Sequence, residues 1–417
     1  MKKAVVQVAL LVSSASLVAV PVPRAAAAGT VVLEATYTSV ANGWVRVERY
    51  RDTDTNFPTE KFPPDGRGNQ DGQRLTFFGG ITQPNSGKFL LYHAPGWQTG
   101  AKATPVLLVH GANDNADRAW ANPGESGSFG CGASSCPSTG LMQHLDGLGY
   151  KVFAVNFAHK QGDNRLQAQI VGDAISVIKS KLGVTKVDVV GWSKGGFPAR
   201  MWVSSVKPTW GRSYPGDVRK LVLIGNANKG IDWSWRHGTA GMVFTYPECG
   251  GSLNAPAAAS TYMCFGVFYN HPELSFTGTG ANDTYPGQRQ MLGRWDSTYA
   301  LDGTQQDWWT VYYGGWGYTS WSPGIQAAID QGSLVSTVRA AGVPTSVSTY
   351  LLCGGTPNIP GVYNENTGPS DGLLFIASCQ DTGGIGTVSG NTLITSNNHL
   401  TLGWSSTAKS TVSAWLG

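Results

Sequence analysis

The sequence predicts an α/β architecture: a mostly parallel sheet flanked by helices, with a β-rich extension before it and a large cap or lid insertion within it. Three observations carry this. From Pro105 onward, short apolar, β-branched runs alternate with segments of helical periodicity, the pattern of a sheet covered on both faces. The run Val187-Asp188-Val189-Val190 stops at Gly191-Trp192-Ser193-Lys194-Gly195-Gly196, and a helix-like segment follows. Between residues 228 and 343 a concentration of Trp, Tyr and Gly breaks the rhythm, which then resumes.

Taken in order, the chain opens with Lys2-Lys3, an apolar run from Ala4 to Val20, and the small residues Ala25 to Ala28. This is the layout of an export signal over residues 1–28. Pro21, Pro23 and Arg24 interrupt it, and it is short for a membrane span. The mature chain is expected to begin near Ala28 or Gly29 and to be secreted into the extracellular medium.

Residues 29–103 form the β-rich extension. Thr30 to Glu34, Trp44 to Val47, Leu75 to Phe78 and Lys88 to Tyr92 predict antiparallel strands around the Pro- and Gly-rich stretch from Phe57 to Gln73. They lead into the core sheet, and the lack of a linker argues against a separate β-module.

The core is assigned to residues 104–227 and 344–417. Val106 to Val109 predicts a buried strand ending at His110-Gly111, Leu141 to Leu148 a short helix, and Lys151 to Phe157 the next strand. Leu166, Ile170, Val171, Ala174, Val177, Ile178 and Leu182 recur at helical spacing. Asp163 or Asn164 would cap that helix, and Gly183 would end it. Pro198 falls early in the helix after Ser193, where proline is most tolerable. Leu221 to Ile224 and Thr345 to Leu352 are further strands. A short strand near Leu393-Ile394 and a helix from Thr407 to Leu416 complete the core. The insertion, residues 228–343, carries Trp233, Trp235, Trp295, Trp308, Trp309, Trp316 and Trp321. These aromatics could offer an apolar contact surface to an acyl chain or polymer, or could simply form the core of a cap.

Only 13% of the 417 residues are charged, so the surface must rely on Gly, Ser, Thr, Asn and aromatics more than on ion pairs. That composition suits an exported protein that meets apolar or polymeric substrates. A net charge of +4 without any Lys/Arg cluster lacks the electrostatic footprint of a nucleic-acid binder. Six cysteines in an exported chain point to disulfides. They fall into near neighbours, Cys131 with Cys136, Cys249 with Cys264 and Cys353 with Cys379, and sequential pairing is expected although spacing alone leaves connectivity open. No compact Cys/His set suggests a zinc site. No cofactor is expected, and the chain is expected to act as a monomer.

The stretch around Ser193 carries the chemistry. A Gly-x-Ser-x-Gly pattern between a strand and a helix is what a nucleophile elbow requires. The serine sits on a sharp turn, and the glycines let the chain pass close to itself. Such a serine needs a base, an orienting carboxylate and an oxyanion hole, gathered at the carboxyl ends of the strands. With the acid and then the base following the serine, His237, His271 and His399 are the available histidines. Only His399 lies beyond the last core strands. Asp371, in Ser370-Asp371-Gly372-Leu373-Leu374, is the first choice for the acid, although Asp before Gly is often just a turn residue; Asp381 and Glu365 are the fallbacks. The backbone N–H groups of Ala112 and Lys194 are expected to form the oxyanion hole. His110 is expected to shape its loop, and the Lys194 side chain to stand at the rim or in solvent.

These segments, Val106 to Gly111, Gly191 to Gly195, Ser370 to Leu374 and Asn398-His399-Leu400, resemble those of secreted bacterial lipases of the α/β-hydrolase superfamily. Thr104 to Ala116 and Val187 to Val190 also resemble extracellular polyhydroxybutyrate depolymerases of the lipase-like type. The resemblance spans roughly residues 104–230 and 345–410. It implies a secreted serine ester hydrolase with the triad Ser193, Asp371 and His399, an acyl-enzyme intermediate, and a lipid ester or aliphatic polyester as substrate, met at a lipid or polymer interface. The sequence departs from the pattern in two places. Thr401 stands where many such lipases carry an acidic residue serving calcium, so no calcium site is expected. Trp192 and Lys194 stand where His and Met are frequent. Two other classes compete: a non-catalytic polymer- or carbohydrate-binding protein, and a peptidase or amidase on the same fold.

Overall fold

Short, largely apolar runs bury both faces when they lie inside a covered sheet, and the computed structural model places Val106–Val109, Val152–Phe157 and Val187–Trp192 there. It describes residues 29–62, 68–126, 131–232, 283–295, 297–299, 309–313, 319–323, 325–360 and 368–417. The strands are β1 (Val31–Tyr37), β2 (Arg46–Asp52), β3 (Lys88–His93), β4 (Val106–Val109), β5 (Val152–Phe157), β6 (Val187–Trp192), β7 (Val218–Ile224), β8 (Trp309–Tyr313), β9 (Thr319–Pro323), β10 (Ser348–Gly354) and β11 (Val388–Ile394). Nine of them form one sheet in the order β1-β2-β3-β5-β4-β6-β7-β10-β11, while β8 and β9 pair apart as an antiparallel hairpin. Every residue of β4, β5 and β6 is buried.

Strand direction divides the sheet. From β5 to β11 all pairings are parallel, whereas β1, β2, β3 and β5 pair antiparallel. The extension is thus the outer part of the same sheet. One segment within it differs from the sequence expectation. Leu75 to Phe78 is not a strand but lies in and just after helix α1 (Gly72–Phe77). Arg74, Phe77 and Phe78 are the buried positions, a spacing of three and four that one helical face satisfies and that strand alternation cannot.

The remaining helices that frame the sheet are α2 (Leu141–Gly147), α3 (Asn164–Leu182), α4 (Gly196–Val203), α5 (Val335–Ala341) and α6 (Ser406–Leu416). Asp163 caps α3, its side chain accepting from the amides of Arg165 and Leu166, and Gly183 ends the helix at φ +64°. Alternate residues of the central strands feed two cores. On one face Leu107, Val109, Val189 and Leu223 pack with Val171, Ile178, Phe197 and Met201. On the other, Leu108, Val190 and Val222 pack with Leu141, Leu145, Val412 and Leu416. Leu334, Val335, Val338 and Val343 join the first core, so the chain has rejoined the body before β10 begins.

Disulfides Cys131–Cys136 and Cys353–Cys379 are formed, with Cα separations of 5.7 and 5.9 Å. Cys249 and Cys264 lie outside the described residues, as do residues 1–28 and most of the aromatic insertion. Among the described residues no helix is long and apolar enough to cross a membrane. A predominantly parallel sheet, covered by helices on both faces and turning at Ser193 from β6 into α4, is the α/β-hydrolase fold.

Candidate active site

At the carboxyl end of β6 the chain reverses at Ser193, which holds φ +53°. A residue other than glycine adopts that conformation at a cost, which the surrounding packing must impose. The flanking glycines show how. A Cβ at Gly191 would lie 2.5 Å from the Cα of Gly196, and one at Gly195 would lie 2.3 Å from the carbonyl oxygens of both Val109 and His110. Only hydrogen atoms fit between the elbow and β4.

His399 reaches the serine from the loop after β11. Its Nε2 is 2.8 Å from Ser193 Oγ, and its Nδ1 is 2.8 Å from Asp371 Oδ2. The carboxylate can only accept, so it holds the imidazole as the Nδ1–H tautomer and leaves Nε2 to accept from the hydroxyl. Asp371 Oδ1 accepts the amides of Leu373 and Leu374 at 3.0 and 2.8 Å, and the Asp371 carbonyl accepts the amide of His399 at 2.8 Å. Asp371 is therefore both the turn residue that Asp-Gly suggests and the partner of the histidine. Gly372 completes the turn at φ +99°. Gly225 leaves the imidazole its space, since a Cβ there would lie 3.1 Å from His399 Cε1.

His110 shapes its loop as expected. Its Nδ1 lies 2.9 Å from the carbonyl of Gly111, and its Nε2 accepts the amide of Phe157 at 3.3 Å. Burial pushes its imidazole down to about 4, so it stays neutral. Gly111 abuts Ser193, a Cβ there coming within 3.1 Å of Ser193 Cβ, and Ala112 follows directly. Among the fallbacks, Asp381 pairs with Arg339 at 3.2 Å, and Glu365 lies outside the described residues, as do His237 and His271.

Lys194 overturns the expectation of a rim or solvated side chain. It is buried, and its ammonium donates to Gln167 Oε1 on α3. The elbow turns this side chain inward under the chain that returns from the insertion: a Cβ on Gly287 would meet Lys194 Cε at 2.2 Å. Burial pulls its ammonium down to about 7 against the attraction of Glu60 and Asp163. That returning chain is fastened to the core. The Gly287 amide donates to Gln161 O at 3.1 Å, and Asn164 Nδ2 donates to Gly287 O at 2.7 Å. Gln290 accepts the Asn164 amide and donates to Asp163, both at 2.7 Å. On the acid side, the rings of Trp295 and Tyr299 pack on Phe375 at 5.5 and 4.3 Å. Of the insertion tryptophans, Trp295 is thus core.

Trp192 has a role that the sequence reading missed: its indole N–H donates to the carbonyl of His399 at 3.2 Å. Thr401 closes the turn after the histidine, its hydroxyl accepting the Asn398 amide at 2.9 Å. Among the described residues no group of His, Cys, Asp and Glu could hold a metal ion.

No protein-family model matches the chain, and no curated protein matches it. Among solved structures, a lipase from Bacillus licheniformis in mature form is 13% identical, with 75% of this chain and 90% of that one covered and a TM-score of 0.37. Naproxen esterase from Bacillus subtilis is 13% identical over 79% of this chain and 88% of its own, at a TM-score of 0.36. A putative lipase from Sulfolobus solfataricus is 11% identical over 89% and 93%, at 0.37. Likenesses of this degree assign neither activity nor substrate; the fold stands on the sheet order and the elbow.

Proposed function

We propose that this chain is an exported serine hydrolase of carboxylic esters. The observation that carries it is the unbroken relay from Ser193 Oγ through His399 to Asp371, with both links at 2.8 Å and the serine on a strained elbow. Ser193 attacks the ester carbonyl while His399 Nε2 takes its proton. The tetrahedral oxyanion is received by the amides of Ala112 and Lys194. His399 then protonates the departing alcohol, leaving an acyl-Ser193. Water, deprotonated by His399, attacks that acyl group, and the acid departs with Ser193 regenerated. Asp371 holds the tautomer and stabilises the imidazolium throughout. Each step uses the chain's own groups.

Lipid esters and aliphatic polyesters such as polyhydroxyalkanoates are the proposed substrates, met by a monomer outside the cell. Export rests on the leader-like residues 1–28 and on the formed disulfides. The test is labelling and turnover together. An organophosphonate should add to Ser193, located by peptide mass, and short acyl esters, long-chain triglyceride or polyester film should be hydrolysed. Ser193→Ala should abolish both. Preferential cleavage of peptide amides would reassign the chemistry to a peptidase. Absence of both turnover and labelling, with binding to a polymer retained, would make the chain a binding protein.

A further inference from the structure

The loop that carries His399 is held from a direction that the relay does not explain. Cys131 and Cys136 close a ring of six residues whose interior is Gly132-Ala133-Ser134-Ser135. The first two carbonyls of that ring each accept from a side chain flanking the histidine. Asn398 Nδ2 donates to Gly132 O at 2.8 Å, and Trp404 Nε1 donates to Cys131 O at 2.9 Å. Asn398 is bound at its other end as well, Oδ1 accepting the amides of Leu400 and Thr401 at 3.0 and 2.9 Å. Gly132 takes φ +72°, and a Cβ there would lie 2.6 Å from Leu400 Cβ and 2.8 Å from Asn398 Oδ1. The ring is therefore pressed against the turn immediately after the base.

We infer that the Cys131–Cys136 ring is a positioning element for His399, and that the disulfide serves turnover rather than only global stability. The inference rests on the ester-hydrolase proposal above. Left open, a stretch of Gly, Ala and Ser loses little by leaving this conformation, and the two carbonyls no longer present a fixed pair of acceptors. Asn398 and Trp404 then release the histidine turn. A base displaced by a fraction of an ångström from Ser193 Oγ loses rate without losing substrate affinity.

Substitution separates this ring from the second disulfide, Cys353–Cys379, which a reductant would also attack. Cys131→Ala/Cys136→Ala, Asn398→Asp and Trp404→Phe are compared with the parent on a soluble acyl ester. Asn398→Asp retains Oδ1 for the turn and removes the Nδ2 donor to the ring, together with that group's second bond to Asn358 O at 3.2 Å; Trp404→Phe removes a donor whose acceptor is the ring carbonyl of Cys131. The double cysteine variant is expected to lower kcat by about 10²-fold with KM within a factor of about two, and to slow phosphonate addition to Ser193 in proportion. Combined with Asn398→Asp it should lose far less than the product of the separate losses, since both cut one link. Parent-like kcat in the cysteine variant, or losses that multiply, would overturn the inference. If the cysteine variant does not fold, Trp404→Phe decides it: a fall in kcat at constant KM supports the ring, and unchanged kcat refutes it. A parent without ester turnover or labelling would instead remove the ester-hydrolase proposal itself.

Discussion

Trp192 and His399 stand 207 residues apart in sequence, yet the indole N–H of one donates to the backbone carbonyl of the other at 3.2 Å. The next residue, Ser193, meets the imidazole of the same histidine. One dipeptide thus fixes the proposed base at two points, through its backbone and through its ring. Trp192→Phe keeps an aromatic ring facing Trp120 and removes the donor together with part of the indole volume. An unpaired buried carbonyl costs about 1–3 kcal/mol, and this cost falls on the loop that carries the base. We expect kcat to fall about tenfold with KM unchanged in steady-state ester hydrolysis. A raised KM at constant kcat would make the indole a substrate contact instead.

The two carboxylate oxygens of Asp371 have separate tasks, one toward the imidazole and one toward the turn amides. Asp371→Asn can keep an acceptor for the turn but cannot hold the Nδ1–H tautomer. It should fold like the parent and lose about 10⁴-fold in kcat. Asp371→Ala should lose comparable activity and, in addition, about 1–3 kcal/mol in urea denaturation. Equal stability of the two variants would show that the turn does not depend on this side chain.

Gly195 and Gly111 should respond differently to alanine. At Gly195 the methyl would sit 2.3 Å from two carbonyl oxygens, so the elbow must open, and Gly195→Ala should unfold at a clearly lower temperature. At Gly111 the nearest neighbour is Ser193 Cβ at 3.1 Å, so Gly111→Ala should fold and lose activity by crowding the nucleophile. Thermal melts beside phosphonate labelling rates distinguish these outcomes.

Acid should weaken the loops beside the nucleophile. Burial pushes His110 down to about 4 and His159 to about 3, and each accepts a backbone amide at one ring nitrogen. The folded state therefore binds fewer protons than the unfolded chain once pH drops below the ordinary histidine value. Stability is fully present above about 6.5 and declines as pH falls toward those depressed values, by up to about 1.4 kcal/mol per pH unit for each histidine. Urea midpoints between pH 7 and 4 should show this slope, and His110→Gln should make it shallower. An unchanged slope in His110→Gln would contradict neutral burial of His110.

How much of this was legible beforehand follows from the distance over which each signal acts. Local patterns located β4, β6 and α3, because apolar runs, caps and glycines act within a few residues. The order of serine, acid and histidine along an open sheet then singled out Asp371 and His399, since after the Thr345 to Leu352 strand the sequence holds three acids, Glu365, Asp371 and Asp381, and one histidine. Lys194 and Trp192 were not legible. The same turn sends one side chain beneath the returning insertion and the other toward the histidine loop, and neither destination is written near residue 193. Leu75 to Phe78 misled because two adjacent phenylalanines fit a strand by composition, whereas their joint burial with Arg74 requires a helix.

The fastening of residues 283–299 bears on modular engineering. β7 and β10 are neighbours in the sheet, so the polypeptide between them can be exchanged without interrupting a strand pair. The fragment that returns from the excursion, however, is bolted to Asn164, Asp163 and Phe375, and it roofs the Lys194 side chain beside Ser193. A specificity graft cut at the strand boundaries would strip that roof along with the donor surface. Junctions placed after residue 232 and before residue 283 keep that fastening in the recipient.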